Sequence, residues 1–199
     1  LAVLASTLHP HVKSHWVLLA RYRHDLLTAP PLMLDALPTL GKRAIVVHYE
    51  QLVQHPEAQL QRICAEIELP YDPRMIAYGE TAAPAGRMGD PTNVHRHTRP
   101  NTASLDRWKT LGSHAQTRQF ALAYLEELGE RTLVQMGYPP APLRLAIENQ
   151  PVTQGKVEFT WQALMYPDKK MEDRMVFVEF ALLQHRWLVH RIKKWLGRR

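Results

Sequence analysis

Apolar positions along this chain recur mostly at the three-to-four-residue spacing of helices, and one β-branched run breaks that pattern near residue 45. Within residues 1–27, Trp16, Leu19, Tyr22, Arg23 and Leu26 repeat at helical spacing. They predict helix, interrupted at His9-Pro10, because proline disfavours helix in the residue before it. A proline-rich connection is expected next, at Ala29-Pro30-Pro31 and Pro38. Residues 44–49 open as a short apolar, β-branched run and end on Tyr49. They predict a buried strand that delivers a tyrosine to a ligand crevice. Pro56 fits the first turn of a following helix, where its missing N–H has no partner to lose, and Glu57 suits the positive end. That helix is expected to reach about residue 67, with Leu60, Ile63 and Cys64 inward, and Pro70-Tyr71-Asp72-Pro73 closes it.

Residues 79–101 differ in character. Gly, Pro, Thr, Asn, His and Arg dominate with little periodicity, which predicts a long loop, and such loops are usually functional or disordered. Residues 104–111 predict a short helix carrying Trp108. A longer helix is expected over 114–136, with Phe120, Tyr124, Leu128 and Leu133 on its apolar face and Gly137 as its C-cap. Residues 139–170 are interrupted by prolines and leave helix and strand open, with a weak strand candidate at 156–161. From 171 to 196 the helical pattern is strong. Met175, Val178, Leu182, Val189, Ile192 and Leu196 mark one face, widened by Phe177, Phe180, Trp187 and Trp195. The expected organisation is a domain part over 1–139, an irregular connection over 140–170 and an amphipathic basic helix over 171–199.

Composition narrows the class. The 199 residues are 45% hydrophobic, enough for one domain with a real core. The chain opens on apolar Leu1-Ala2-Val3-Leu4-Ala5 rather than methionine, so it reads as a fragment lacking an N-terminal portion. Net charge is +6 with a pI near 9.6, which favours anionic partners; nucleic acid, nucleotide and acidic membrane all satisfy it. Part of that charge crowds the last turns of the C-terminal helix, so it says little about a central site. Cys64 is the sole cysteine, which excludes an internal disulfide and reads as a buried thiol. No apolar run reaches the roughly 18 residues of a membrane span, and no signal peptide is visible. The expected location is cytoplasmic. The C-terminal helix, with its basic end and two tryptophans, fits docking on the protein itself or a partner, and secondarily a membrane surface.

Val46-Val47-His48-Tyr49-Glu50-Gln51-Leu52-Val53-Gln54-His55-Pro56-Glu57 closely resembles the Y-E-x-L-V-x-x-P segment of sulfotransferases that use 3′-phosphoadenosine 5′-phosphosulfate. A second block, from Arg96-His97-Thr98-Arg99-Pro100-Asn101 to Ser104-Leu105-Asp106-Arg107-Trp108, resembles that family's late segment, a basic loop before an S-x-x-x-W helix. Leu1 to Thr7 resembles the segment where an arginine and, a few residues on, a serine bind the donor's 3′-phosphate; the arginine would precede Leu1. Leu133-Val134-Gln135-Met136-Gly137-Tyr138-Pro139 completes the order. Gly86-Arg87-Met88-Gly89-Asp90 lacks the Arg-Lys-Gly opening and Trp-Lys ending of the small-molecule cytosolic motif. The resemblance is thus to the bacterial and protein-tyrosine branches.

This resemblance implies an α/β fold, a P-loop nucleotide-kinase-like three-layer sandwich with a central parallel sheet, truncated at the N-terminus and mostly helical over these residues. It implies sulfuryl transfer from 3′-phosphoadenosine 5′-phosphosulfate, as co-substrate, to an acceptor hydroxyl or amine. The donor contacts it implies are Ser6 for the 3′-phosphate, Tyr49 against the adenine, and Arg99, Ser104 and Arg107 for phosphate or ribose. Guanidinium forks and hydroxyls suit such anions. Taken without the resemblance, Ser6 is a cap or packing residue and Tyr49 a core-edge tyrosine with a wet hydroxyl. The basic loop is then a solvated surface, and Trp108 is structural on either reading. Glu50 reads as structural. The general base and 5′-phosphosulfate loop would lie upstream of residue 1, so no catalytic residue is assigned and the chain alone is not expected to turn over. Partners are then the donor nucleotide and an acceptor of unassigned class (small molecule, glycan, lipid or protein), with no nucleic acid expected. His9, His11 and His15, and the pair His95 and His97, lack acidic or cysteine ligands at a zinc spacing, so no metal is expected. The rival reading is a non-enzymatic basic helical module that binds nucleic acid or an acidic surface.

Overall fold

The computed structural model describes residues 1–7, 19–20, 22–80, 98–153, 155–170, 172–173 and 176–177. Most of the expected 79–101 loop and of the 171–196 helix lies outside these residues, as do all five histidines weighed above for metal. The chain forms two compact units, Leu1–Ala36 with Trp108–Arg199, and Leu37–Arg107.

The first unit is built on α5 (Ala115–Leu128), after α1 (Ala2–Thr7), α2 (Ala29–Leu40), α3 (Tyr49–Gln54) and α4 (Pro56–Glu66) in chain order. His114 caps α5, its imidazole Nδ1 accepting the Gln116 N–H at 3.2 Å. Phe120, Ala121, Tyr124, Leu125 and Leu128 are all buried. Their spacing of one, three, one and three is the stripe a helix turns toward a core. Leu4, Leu19, Leu26 and Leu111 pack into the same cluster.

The expected 114–136 helix breaks in two. Gly129 sits at φ 81, ψ 151, a backbone region only glycine enters without strain. Beyond it α6 (Glu130–Gln135) carries Leu133 into the core. Gly137 closes α6 as expected: its N–H donates to Val134 O at 2.9 Å and the Tyr138 N–H to Leu133 O at 2.8 Å. This is the paired bond pattern of a left-handed glycine cap.

Residues 139–170, left open by their prolines, contain two short helices. Pro140 occupies the first turn of α7 (Pro140–Glu148), where proline starts a helix instead of breaking it. Thr160 caps α8 (Trp161–Met165) by accepting the Ala163 N–H at 3.1 Å. Ile147, Trp161, Leu164 and Met165 join the α5 core, and Trp161 lies tilted against Phe120 and Tyr124, ring centroids 6.2 and 6.0 Å away. Among the described residues the strand candidate at 156–161 pairs with no strand. Its backbone at Glu158 and Phe159 is satisfied by the buried Gln116 side chain.

In the second unit, residues 44–48 form no strand among the described residues, and the backbone is extended at Ala44 (φ −125, ψ 130) and His48 (φ −84, ψ 126). Among the described residues this segment has no ladder partner; the isolated bridge His114–Thr153 belongs to the first unit. Val46 and Val47 are exposed rather than buried. Tyr49, expected at a strand end, is the first residue of α3. Pro56 opens α4 as predicted, with Cys64 buried and Leu60 and Ile63 half-buried. The expected proline-rich connection is instead helix α2, which continues from the π-helical turn His24–Thr28 and carries Pro30, Pro31 and Pro38. Among the described residues, no helix is long and apolar enough to cross a membrane.

Candidate functional site

The second unit places two of the singled-out residues in contact. Tyr49, at the first position of α3, shares a hydrogen bond between its Oη and Ser104 Oγ at 3.0 Å, across 55 residues of sequence. Tyr49 keeps 48% of its surface exposed.

Ser104 is held by local chemistry. Asn101 Oδ1 accepts the Ala103 N–H at 3.1 Å, the side-chain turn that asparagine forms readily. The Leu105 N–H then donates to Thr102 O at 3.0 Å and the Arg107 N–H to Ser104 O at 3.2 Å. The expected helix over 104–111 therefore begins as a turn and continues as the tighter 3₁₀ segment Arg107–Ser113. Trp108 is half-buried against the core of its own unit, the structural role expected of it.

Arg99 stands in a bend beside Thr98, whose carbonyl accepts the Gly79 N–H at 3.1 Å. Gly79 permits that approach: a Cβ there would overlap Thr98 Cα and sit 2.7 Å from Thr98 Cβ. Arg99 and Arg107 are exposed, and the Arg99 guanidinium makes no hydrogen bond or ion pair among the described residues. One unit thus holds a tyrosine ring, a hydroxyl pair and two exposed guanidinium groups. Ser6 lies in α1 of the other unit with its side chain outside the described residues, as are Arg96 and Gly86 to Asp90.

Sequence reasoning passed over Arg62. On α4, its Nη1 donates to Glu66 Oε1 at 2.8 Å, its Nε and Nη2 to Gln59 Oε1 at 3.4 and 3.1 Å, and its Nη2 also to Val46 O at 3.0 Å. The i to i+4 spacing of Arg62 and Glu66 was visible in sequence; the reach to Val46 was not. Asp72 is held below the usual carboxylate range by hydrogen bonds from the Arg74 side chain and N–H, which fixes the turn after α4. Among the described residues no group of three or more His, Cys, Asp and Glu could hold a metal ion.

Known proteins match this chain only in part. It is 41% identical over 46 residues, 23% of its length, to protein-tyrosine sulfotransferase A of Caenorhabditis elegans. The matched segment spans 12% of that relative's own length. No protein-family model matches the chain, and no solved structure matches it. The partial match supports a sulfotransferase-like relationship.

Proposed function

We propose that the Tyr49–Ser104 corner is part of the donor-nucleotide site of a sulfotransferase that uses 3′-phosphoadenosine 5′-phosphosulfate. The observation that carries this reading is the 3.0 Å bond between Tyr49 and Ser104, because it joins two separate sequence blocks that each resemble donor-binding segments. The partial likeness to a protein-tyrosine sulfotransferase supports it from a different direction. On this reading residues 44–48 are a strand of a parallel sheet in a P-loop-like sandwich, an arrangement in which their exposed valines would be covered.

The chemistry follows from what each group can do. The Tyr49 ring offers a face for a purine, and its hydroxyl, tied to Ser104, offers a directed polar contact. Arg99 and Arg107 supply guanidinium forks suited to phosphate oxygens. Sulfuryl transfer then needs a general base for the acceptor proton and cationic stabilisation of the departing phosphate. Neither role is assigned to a residue of this chain. The relative's name points to a protein tyrosine as acceptor.

Calorimetry with 3′-phosphoadenosine 5′-phosphate, using 5′-AMP as control, tests the reading. The bisphosphate is expected to bind more tightly. Arg99→Ala should weaken it about tenfold or more, the scale of one lost charge-assisted hydrogen bond. Equal binding of both nucleotides, or none, would remove the donor site. Steeply salt-dependent binding of any polyanion would instead favour a basic nucleic-acid-binding module.

A further inference from the structure

We infer that Arg62 is a positioning residue for Tyr49, acting through the backbone carbonyl of Val46. The consequence for nucleotide binding rests on the donor-site reading above; the positioning itself does not. The segment 44–48 is held in its middle by Arg62. Among the described residues it lacks a ladder partner, and the backbone groups of Ile45 and Val47 make no hydrogen bond. Arg62 Nη2 reaches Val46 O at 3.0 Å, closing a span of 16 residues that contains α3 and the first part of α4.

The guanidinium is prepared for that reach. Gln59 one turn before and Glu66 one turn after hold its other donors on the same face of α4. A fork fixed on two sides loses little freedom when it makes a third bond. Val46 lies three residues before Tyr49, and extended backbone advances about 3.3 Å per residue. The far end of this short lever is fastened by the Leu52 N–H on His48 O at 2.9 Å, so a shift at Val46 is passed to Tyr49. Displacing the Tyr49 ring by a fraction of an ångström is enough to break a 3.0 Å contact with Ser104.

An exposed arginine with only a structural role would alter overall stability and leave the Tyr49–Ser104 contact intact. A double-mutant cycle separates the two cases. Tyr49→Phe and Ser104→Ala are combined in the whole chain, and their coupling is read from urea unfolding with and without Arg62→Ala. The coupling is expected in the parent chain and lost in the Arg62→Ala background. Arg62→Gln, which keeps the aliphatic stem, serves the same cycle if Arg62→Ala does not fold. Coupling that persists without the guanidinium, or that is absent from the parent chain, overturns the inference. Calorimetry with 3′-phosphoadenosine 5′-phosphate forms a second arm, in which Arg62→Ala should weaken binding three- to tenfold, by roughly the scale of one hydrogen bond. Lost coupling in a chain that binds no nucleotide supports the positioning role and removes only the donor-site reading.

Discussion

Gln116 has no exposed surface, and both ends of its amide are used. Its Oε1 accepts the N–H groups of Glu158 and Phe159 at 2.6 and 3.0 Å, and its Nε2 donates to Phe159 O at 2.6 Å. One side chain thereby supplies the hydrogen bonds a neighbouring strand would give to the part-buried backbone at 158–159. Nearby, burial raises the pKa of the Tyr124 phenol, and the hydrogen bond it donates to Glu127 raises that of Tyr166. The raised folded values mean that the fold favours neutral phenols. Stability from this source is complete below the unfolded value of about 10. It is lost progressively as pH rises from there through the folded values. Tyr124→Phe is expected to flatten the alkaline side of the unfolding midpoint measured against pH. An unchanged alkaline slope would mean that Tyr124 does not carry it.

At the scale of elements, local rules account for several beginnings and ends. Pro56 and Pro140 open helices, Thr160 and His114 cap them, and Gly137 closes one. The failures are also local. Leu128 and Leu133 lie five residues apart, off the three-to-four spacing of one helix face, and the break at the Gly129 backbone falls between them. A Cβ at Gly129 would meet nothing within 4 Å, so any cost of substitution is conformational. Gly129→Ala is expected to destabilise the fold by about 1–3 kcal/mol, the cost of forcing a side chain into that region, as read from urea unfolding. A neutral result would show that α5 and α6 can rejoin as one helix.

At the scale of the whole molecule, apolar burial is uneven. Among the described residues, the unit containing α5 holds a cluster of fourteen buried side chains, whereas Cys64 and Ala77 are the buried apolar residues of the Leu37–Arg107 unit. Opening free energy follows such burial. Hydrogen exchange is therefore expected to be slower for amides in the middle of α5 than for those in the middle of α4. Phe120→Ala should lower the α5 protection by about 3–5 kcal/mol. Equal protection of the two helices would mean that the Leu37–Arg107 unit is stabilised by something other than its buried side chains.

Sequence by itself determined what neighbours along the chain decide. The start of α4 follows from Pro56, and the α5 stripe from a 3.6-residue period. The likeness of the Tyr49 and Ser104 blocks to donor-binding segments was legible for the same reason, since each block is contiguous. Tertiary structure alone decided which distant groups meet. The Tyr49–Ser104 bond, the Arg62 reach to Val46 and the pairing of Gln116 with residues 158–159 span 55, 16 and up to 43 positions. Such contacts depend on how whole elements pack, and no periodicity or capping rule encodes a partner so far along the chain.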